Sequence, residues 1–426
     1  MGKAAFLSRA AGLFAQARQS LWFTPALYAV VAVTVLLLAP FIAPFIPPDL
    51  VELIGLDGVY DLLDALANTL LAVAIFSLGI MASSMQAAAG AATPRARPLL
   101  MKDRTAQNAI STFIGGFIFA IVGLVGLSTE YYNDASRVVL FLASCVVILA
   151  VILALIRWIG RLTGLGDVSE VTDLLEETVK EALAAHARDP FFGGVRKDSA
   201  DRGGFDLFPR GFGHVQAVDG ERLAALVEDR RLSLHLLVRP GAYVDPKRPV
   251  LRAAEPFDEE TADALLATLT IGPERRFETD PRYGLIALSE IASRALSPGV
   301  NDPGTAIGVI GTAVRVLAYW SDKLQATPEV RHPRLHVVPL AAADVMEDAF
   351  RWIARDGAGQ LEVQIRLQKA LATLAAHDPR LFGAAARLLS RESLARAAQA
   401  MKMHQDLDRL RLEVAQLAAL GEHPER

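Results

Sequence analysis

Cysteine is almost absent. Cys145 is the one thiol in 426 residues, so the chain has no internal disulfide framework and extracellular stapling is not part of its design. The familiar catalytic signatures are missing too: HExxH, CxxC, GxGxxG and the phosphate-cradling GxxxxGKS do not occur. No nucleophile–base set stands at a recognisable spacing either, so we expect no enzyme, no cofactor and no metal. His332 and His336 lie four apart, but Pro333 between them favours strand or loop over a ligand-bearing helix. Charge is absent from four stretches: Leu21–Ile46, Ala65–Thr93, Thr105–Thr129 and Val138–Ile156. A helix needs roughly 20 apolar residues to cross a bilayer core. All four reach or approach that length.

The expectation is a multi-pass α-helical membrane protein with four transmembrane helices over residues 21–160. The first run is too long for the apolar core of a signal peptide and three more follow it, so it is retained as an anchor. Basic residues without acids mark the tail 1–20 (Lys3, Arg9, Arg18), and Arg95, Arg97, Lys102 and Arg104 face only Asp103 between spans two and three. The loop between spans one and two is acidic, with Asp49, Glu52, Asp57, Asp61 and Asp64. By the positive-inside rule both termini are cytoplasmic. From Gly166 onward the chain carries about −6 of charge, against −4 overall, which excludes the basic face that nucleic acid needs.

The cytoplasmic part reads as α+β and mostly helical. A stalk helix and a flexible Gly/Pro-rich loop fill 161–213, a small mixed α/β segment fills 214–256, and helices fill 257–426. Asp219, Asp258 and Asp280 are placed to cap helices, with Pro281 at the first helical position. The last helix carries a short apolar seam (Ala400, Met403, Leu407, Leu410, Val414, Leu417) that either pairs subunits or packs on its own domain. Ala400–Met403 spells the tetrapeptide that carries biotin in biotinyl domains. Here Lys402 falls in a helical run with no half-barrel after it, so no biotin is expected.

Two groups of residues are candidates for function. In span two, Asn68, Thr69, Ser77, Ser83 and Ser84 lie within about half the helix circumference. Span three opens with Gln107 and Asn108 and runs through Gly115, Gly116, Gly123 and Gly126. Such residues either pack helices closely or form a water-facing wall between subunits. No ionisable residue lies inside a span, which disfavours a proton relay. The second group is the joint Leu296–Ala306. Pro298-Gly299 ends one helix, and Asn301 or Asp302 caps the next, with Pro303 at its first position. Arg294 and Glu290 stand one turn apart on the preceding helix, spaced to pair with each other or to reach Asp302. With Ser297, these residues form either a structural joint or a ligand or subunit contact.

The stretch "FETDPRYGLIALSEIASRALSPGVNDPGTA" resembles the signature of a bacterial family of predicted membrane proteins, domain of unknown function 2254. "RPLLMKDRTAQNAISTFIGGFIFAIVGL" and "HVQAVDGERLAALVEDRRLSLHLLVRPGAYV" are similar to its other characteristic stretches, and the likeness runs from about residue 20 to 400. The resemblance implies a bacterial inner-membrane protein with N-terminal spans and a cytoplasmic C-terminal region, and it assigns no activity. The expected partners are the lipid bilayer and further copies of the chain. The expected function is a homo-oligomeric pore with a cytoplasmic gating or sieving domain; the alternative is a membrane-anchored ligand sensor or scaffold.

Overall fold

A computed structural model describes residues 23–47, 58–100, 104–129, 132–162, 164, 166–197, 203–324 and 328–419. The basic tail 1–20 and the loop residues Asp49, Glu52, Asp57, Lys102 and Asp103 lie outside the described residues. The chain divides into two compact units: 1–90 with 97–167, and 91–96 with 168–426.

Among its described residues the first unit holds four helices long and apolar enough to cross a membrane. They are α1 (Phe23–Ile42), α2 (Gly58–Ala91), α3 (Arg104–Ser128) and α4 (Asp134–Leu162). Leu36, Leu63, Phe113, Phe119 and Leu140 are buried between them. The glycines of α3 are points of close approach. A side chain at Gly115 would strike Tyr28, one at Gly116 would strike Leu70, and one at Gly126 the Tyr132 ring. Small residues that let neighbours approach this closely are the usual cement of helices in lipid.

Pro40 sits inside α1. Having no N–H, it leaves the carbonyl of Leu36, four residues earlier, without its helical donor. The Tyr132 hydroxyl donates to that carbonyl at 3.2 Å across 96 residues of chain, in a buried position. An unpaired carbonyl is costly where no water can reach it, so the proline and the tyrosine form one device.

The second unit begins with α5 (Val168–Arg188), the expected stalk. It is an integral member of the unit: Leu175, Val179 and Leu183 are buried, and the helix packs on α8 (Pro281–Ala295) and α9 (Pro303–Lys323). The buried Glu176 accepts from Arg315 Nε of α9 at 2.9 Å and pairs with Lys180 at 2.7 Å. The hydrogen bond from Arg315 is the main reason that its carboxyl titrates below the usual range. Close approach matters here too, since a side chain at Gly284 of α8 would run into Val179.

Two small sheets follow. One orders its strands β1 (Val195–Arg196), β8 (Leu335–Val337), β4 (Leu234–Leu236), β6 (Leu251–Ala253) and β2 (Phe205–Leu207). Within it β1, β8 and β4 run parallel, and β6 and β2 pair antiparallel. The other is antiparallel: β5 (Tyr243–Val244), β3 (Gly213–Val218) and β7 (Leu269–Gly272). Helices α6 (Gly220–Asp229) and α7 (Glu259–Leu266) accompany the sheets, and Leu223, Val227 and Leu265 share one core with Val215, Leu236 and Val337. The strands come from residues 195 to 337, well outside the expected 214–256 segment. The stretch 188–213, expected as a flexible loop, holds β1 and β2. Its Gly194 and Gly204 serve close backbone approach, because a side chain at either would meet the carbonyl of Leu335 or Ala253.

The remaining helices are α10 (Ala342–Asp356), α11 (Leu361–His377), α12 (Pro379–Ala400) and α13 (His404–Ala419). The seam of α13 buries Leu407 and Leu410, and the helix packs on α11 and α12 of its own unit. Lys402 lies in the break between α12 and α13 rather than inside a helix, because the backbone turns extended at Met401 (ψ 130°). Residues 91–96 belong to this unit as well: Thr93 donates to Glu290 of α8 at 2.9 Å, and Arg95 forms an ion pair with the same carboxylate.

Replacing Tyr132 with Phe removes only the hydroxyl. We expect a loss of about 0.5–1.5 kcal/mol in the stability of the purified protein in detergent. In a Pro40→Ala background a donor at position 40 is restored, so the same substitution should cost measurably less; equal costs in both backgrounds would refute the coupling.

Candidate functional site

The joint after α8 is satisfied locally. Asn301 takes the left-handed conformation (φ 51°), which asparagine tolerates better than most residues. Its N–H donates to the Ser297 carbonyl at 2.8 Å, and its side-chain oxygen accepts from Gln360 Nε2 at 3.3 Å. The Asp302 carboxylate accepts from the Thr305 N–H at 3.1 Å and from the Thr305 hydroxyl at 2.6 Å, capping α9. Those bonds to Thr305 hold its carboxyl below the usual range. Glu290 is engaged by Thr93 and Arg95 rather than by the expected Arg294, which is exposed. Long-range partners have displaced the i,i+4 pair.

The span candidates divide by exposure. Ser77 is buried and Ser84 half-buried, while Asn68, Thr69 and Ser83 are exposed. Gln107 is half-buried and Asn108 exposed. Thr69 donates to the Ala65 carbonyl at 2.6 Å, within its own helix, and Asn68 to Asp64 at 3.0 Å. The Asn108 carbonyl accepts from Thr112 at 2.8 Å.

A third feature is a cavity of about 550 Å³ inside the second unit. Strands β4 and β8 run parallel, and the segments leaving their carboxyl ends, 237–242 and 338–341, form two of its walls. Ligand crevices in sheets with parallel strands lie at such ends. The last two turns of α5 add Ala182, Ala185 and His186, and the approach to α8 adds Arg275 and Asp280. Gly241, with φ 93°, turns the chain after β4 where any side chain would meet the Asp280 carboxylate. Asp280 itself caps α8, accepting from the Tyr283 N–H at 3.2 Å, and pairs with Arg275 Nε at 2.6 Å.

Arg239 lies on the cavity wall just beyond β4. Its Nε donates to the Val338 carbonyl at 2.5 Å, one Nη to the Pro190 carbonyl at 2.9 Å, and the other faces His186 Nδ1 at 3.5 Å. Arginine only donates, so His186 must accept at Nδ1 and carry its proton on Nε2. Burial, reinforced by the Arg239 charge, pushes the His186 imidazole down to about 3. Burial alone brings Arg239 down to about 10, which leaves it charged at neutral pH.

Little in the sequence marks this constellation. Pro240-Gly241 was legible as a turn and Asp280 as a cap, but no spacing rule links Arg239 to His186, 53 residues away. The only signal was an arginine directly between an alternating strand and a Pro-Gly turn.

Among known proteins, the family described as "Predicted membrane protein (DUF2254)" matches residues 18–373. An uncharacterized protein of Mycobacterium bovis is 35% identical over 106 residues, covering 23% of this chain and 20% of that protein. An uncharacterized protein of Mycobacterium tuberculosis matches to the same extent. The chain thus spans about a fifth of the length of the curated relatives it matches. No solved structure matches it.

His186 supplies a pH dependence. Its proton affinity in the fold lies below the ordinary histidine value of 6.5, so between about pH 6.5 and about pH 3 the unfolded chain holds more protons. Its contribution is whole above that window and is lost as pH falls through it, at up to about 1.4 kcal/mol per pH unit. The melting temperature should fall more between pH 7.5 and 5.5 in the natural protein than in His186→Gln; parallel curves would refute the buried neutral imidazole.

Proposed function

The chain belongs to this family of predicted membrane proteins, and from that premise we propose that it is a membrane-anchored ligand-binding protein whose second unit takes a small molecule into the cavity beside Arg239. The observation that carries this reading is the cavity itself, about 550 Å³ at the carboxyl ends of two parallel strands, which falls in the size range of small-molecule sites. Its wall joins apolar surface (Val218, Val238, Leu340) to a few fixed polar groups, the usual make-up of such sites. The reading assigns binding and no catalysis. It places the second unit and both termini in the cytoplasm of a bacterial cell, below the inner membrane, on the strength of the basic tail and the basic stretch 95–104.

The test is thermal unfolding of the full-length protein in lipid nanodiscs across a panel of metabolites. A ligand at 100 times its Kd stabilises by about 2.7 kcal/mol. Ala185 is an exposed helical residue on the cavity wall, so Ala185→Trp should fold and abolish the shift. Shifts that survive in the tryptophan variant, or a panel without any shift, would sink the reading.

A second reading, self-association around a pore, is favoured by the exposure of Asn68, Ser83 and Asn108 on helices of membrane-spanning length. Polar groups facing lipid are costly, and a second copy of the chain would cover them. Planar bilayers containing the protein should then show unitary currents that change in Asn68→Leu/Ser83→Leu. Silent bilayers together with a monomeric mass in detergent would exclude it.

A further inference from the structure

We propose that the cavity is an anion site, in which Arg239 receives the carboxylate or phosphate of a small organic ligand; this rests on the ligand-binding reading above. Charge sets Arg239 apart from the other arginines near the cavity. Arg275 has Asp280 at 2.6 Å, Arg282 has Asp348 at 2.5 Å and Asp344 at 3.0 Å, and Arg331 has Asp189 at 2.6 Å. Arg239 differs from all three. Its acceptors are two backbone carbonyls and a neutral imidazole nitrogen, and among the described residues no carboxylate stands within ion-pair distance of it.

Holding the exits of β4 and β8 together requires N–H donors and no charge; a neutral amide could serve the same carbonyls. A half-buried cation without a carboxylate partner is unfavourable, and the Phe191 ring, 6.0 Å from the guanidinium carbon, offsets only part of that cost. An anionic ligand would compensate it. Of the five N–H groups of a guanidinium, the three contacts leave donors on the terminal nitrogens, and a charge-assisted bond from them to a carboxylate or phosphate is among the stronger polar contacts available. The acids on the wall do not reverse this preference: Asp189, Asp280 and Asp344 are already bonded to Arg331, Arg275 and Arg282, and Glu278 is exposed. The cavity is far larger than an inorganic anion, and Ala182, Val218, Val238 and Leu340 supply apolar wall. The ligand therefore has one anionic group on an uncharged organic body.

The experiment is calorimetric titration of the full-length protein in nanodiscs with benzoate, phenyl phosphate and the neutral isostere benzamide, at constant ionic strength. The expected result is saturable binding of at least one anion, with benzamide at least ten-fold weaker; which anion binds distinguishes a carboxylate from a phosphate ligand. Binding should be lost in Arg239→Gln and weakened about ten-fold in Arg239→Lys, whose point charge lacks the planar fork. Should Arg239→Gln fail to fold, Arg239→Lys and Ala185→Trp carry the test. Benzamide binding equal to benzoate and lost in Ala185→Trp would overturn the anion assignment and leave the cavity reading standing. Anion binding that survives in Ala185→Trp, or no binding of any probe in the millimolar range, would overturn the anion assignment as well, while the metabolite panel decides the cavity independently.

Discussion

A guanidinium taken out of water has to be met by acceptors wherever it ends up, and in the second unit that requirement organises the chain around Arg239. The residue follows β4, yet its bonds reach the Val338 carbonyl beyond β8 and the Pro190 carbonyl beyond α5. Three segments far apart in sequence are thereby pinned at one point. Those same segments wall the cavity, so its shape and its electrostatics have a common origin. The neighbouring imidazole is drawn into the arrangement: burial and the Arg239 charge hold His186 neutral, and the arginine donor at Nδ1 fixes its tautomer.

The first unit obeys a different rule. Without water, every backbone carbonyl must find its donor inside the protein, and Pro40 breaks that closure at Leu36. The repair comes from Tyr132, whose ring also fills the space left by Gly126. The glycines of α3 thus have partners, which accounts for that run through packing and moves the case for a water-facing wall onto the exposed Asn68, Ser83 and Asn108. The two readings of function accordingly draw on different parts of the molecule.

Much of this was legible in the residues alone, and what was not has a physical reason. The four apolar runs survive as helices because hydropathy over about 20 residues is a local property. The caps at Asp219, Asp258 and Asp280 form as expected, and of the two residues offered for α9 Asp302 is the cap, since a cap needs only the next three residues. The strands were harder. Apart from the six-residue β3, these are elements of two to four residues, which carry almost no periodicity, and β1 and β2 exist because β8 and β6 pair with them. Glu290 shows the same limit at a single side chain, because its nearby Arg294 lost to Thr93, 197 residues away. Arg239 was invisible for a related reason: its meaning depends on which carboxylates are absent around it, and only three-dimensional placement shows that.

The length of α2 bears on the lipid itself. Its 34 residues make a rod of about 51 Å at about 1.5 Å per residue, against a hydrocarbon layer of about 30 Å. Even tilted by about 40°, near the limit for spanning helices, it would stand about 39 Å tall. It cannot be submerged whole, and Asp61 and Asp64 near its start mark an end suited to headgroup depth. Its charge-free part, residues 65–91, is still about 40 Å long at about 1.5 Å per residue, so it exceeds the hydrocarbon layer and fits it by tilting. Thicker membranes are the ones that fit that stretch with least tilt.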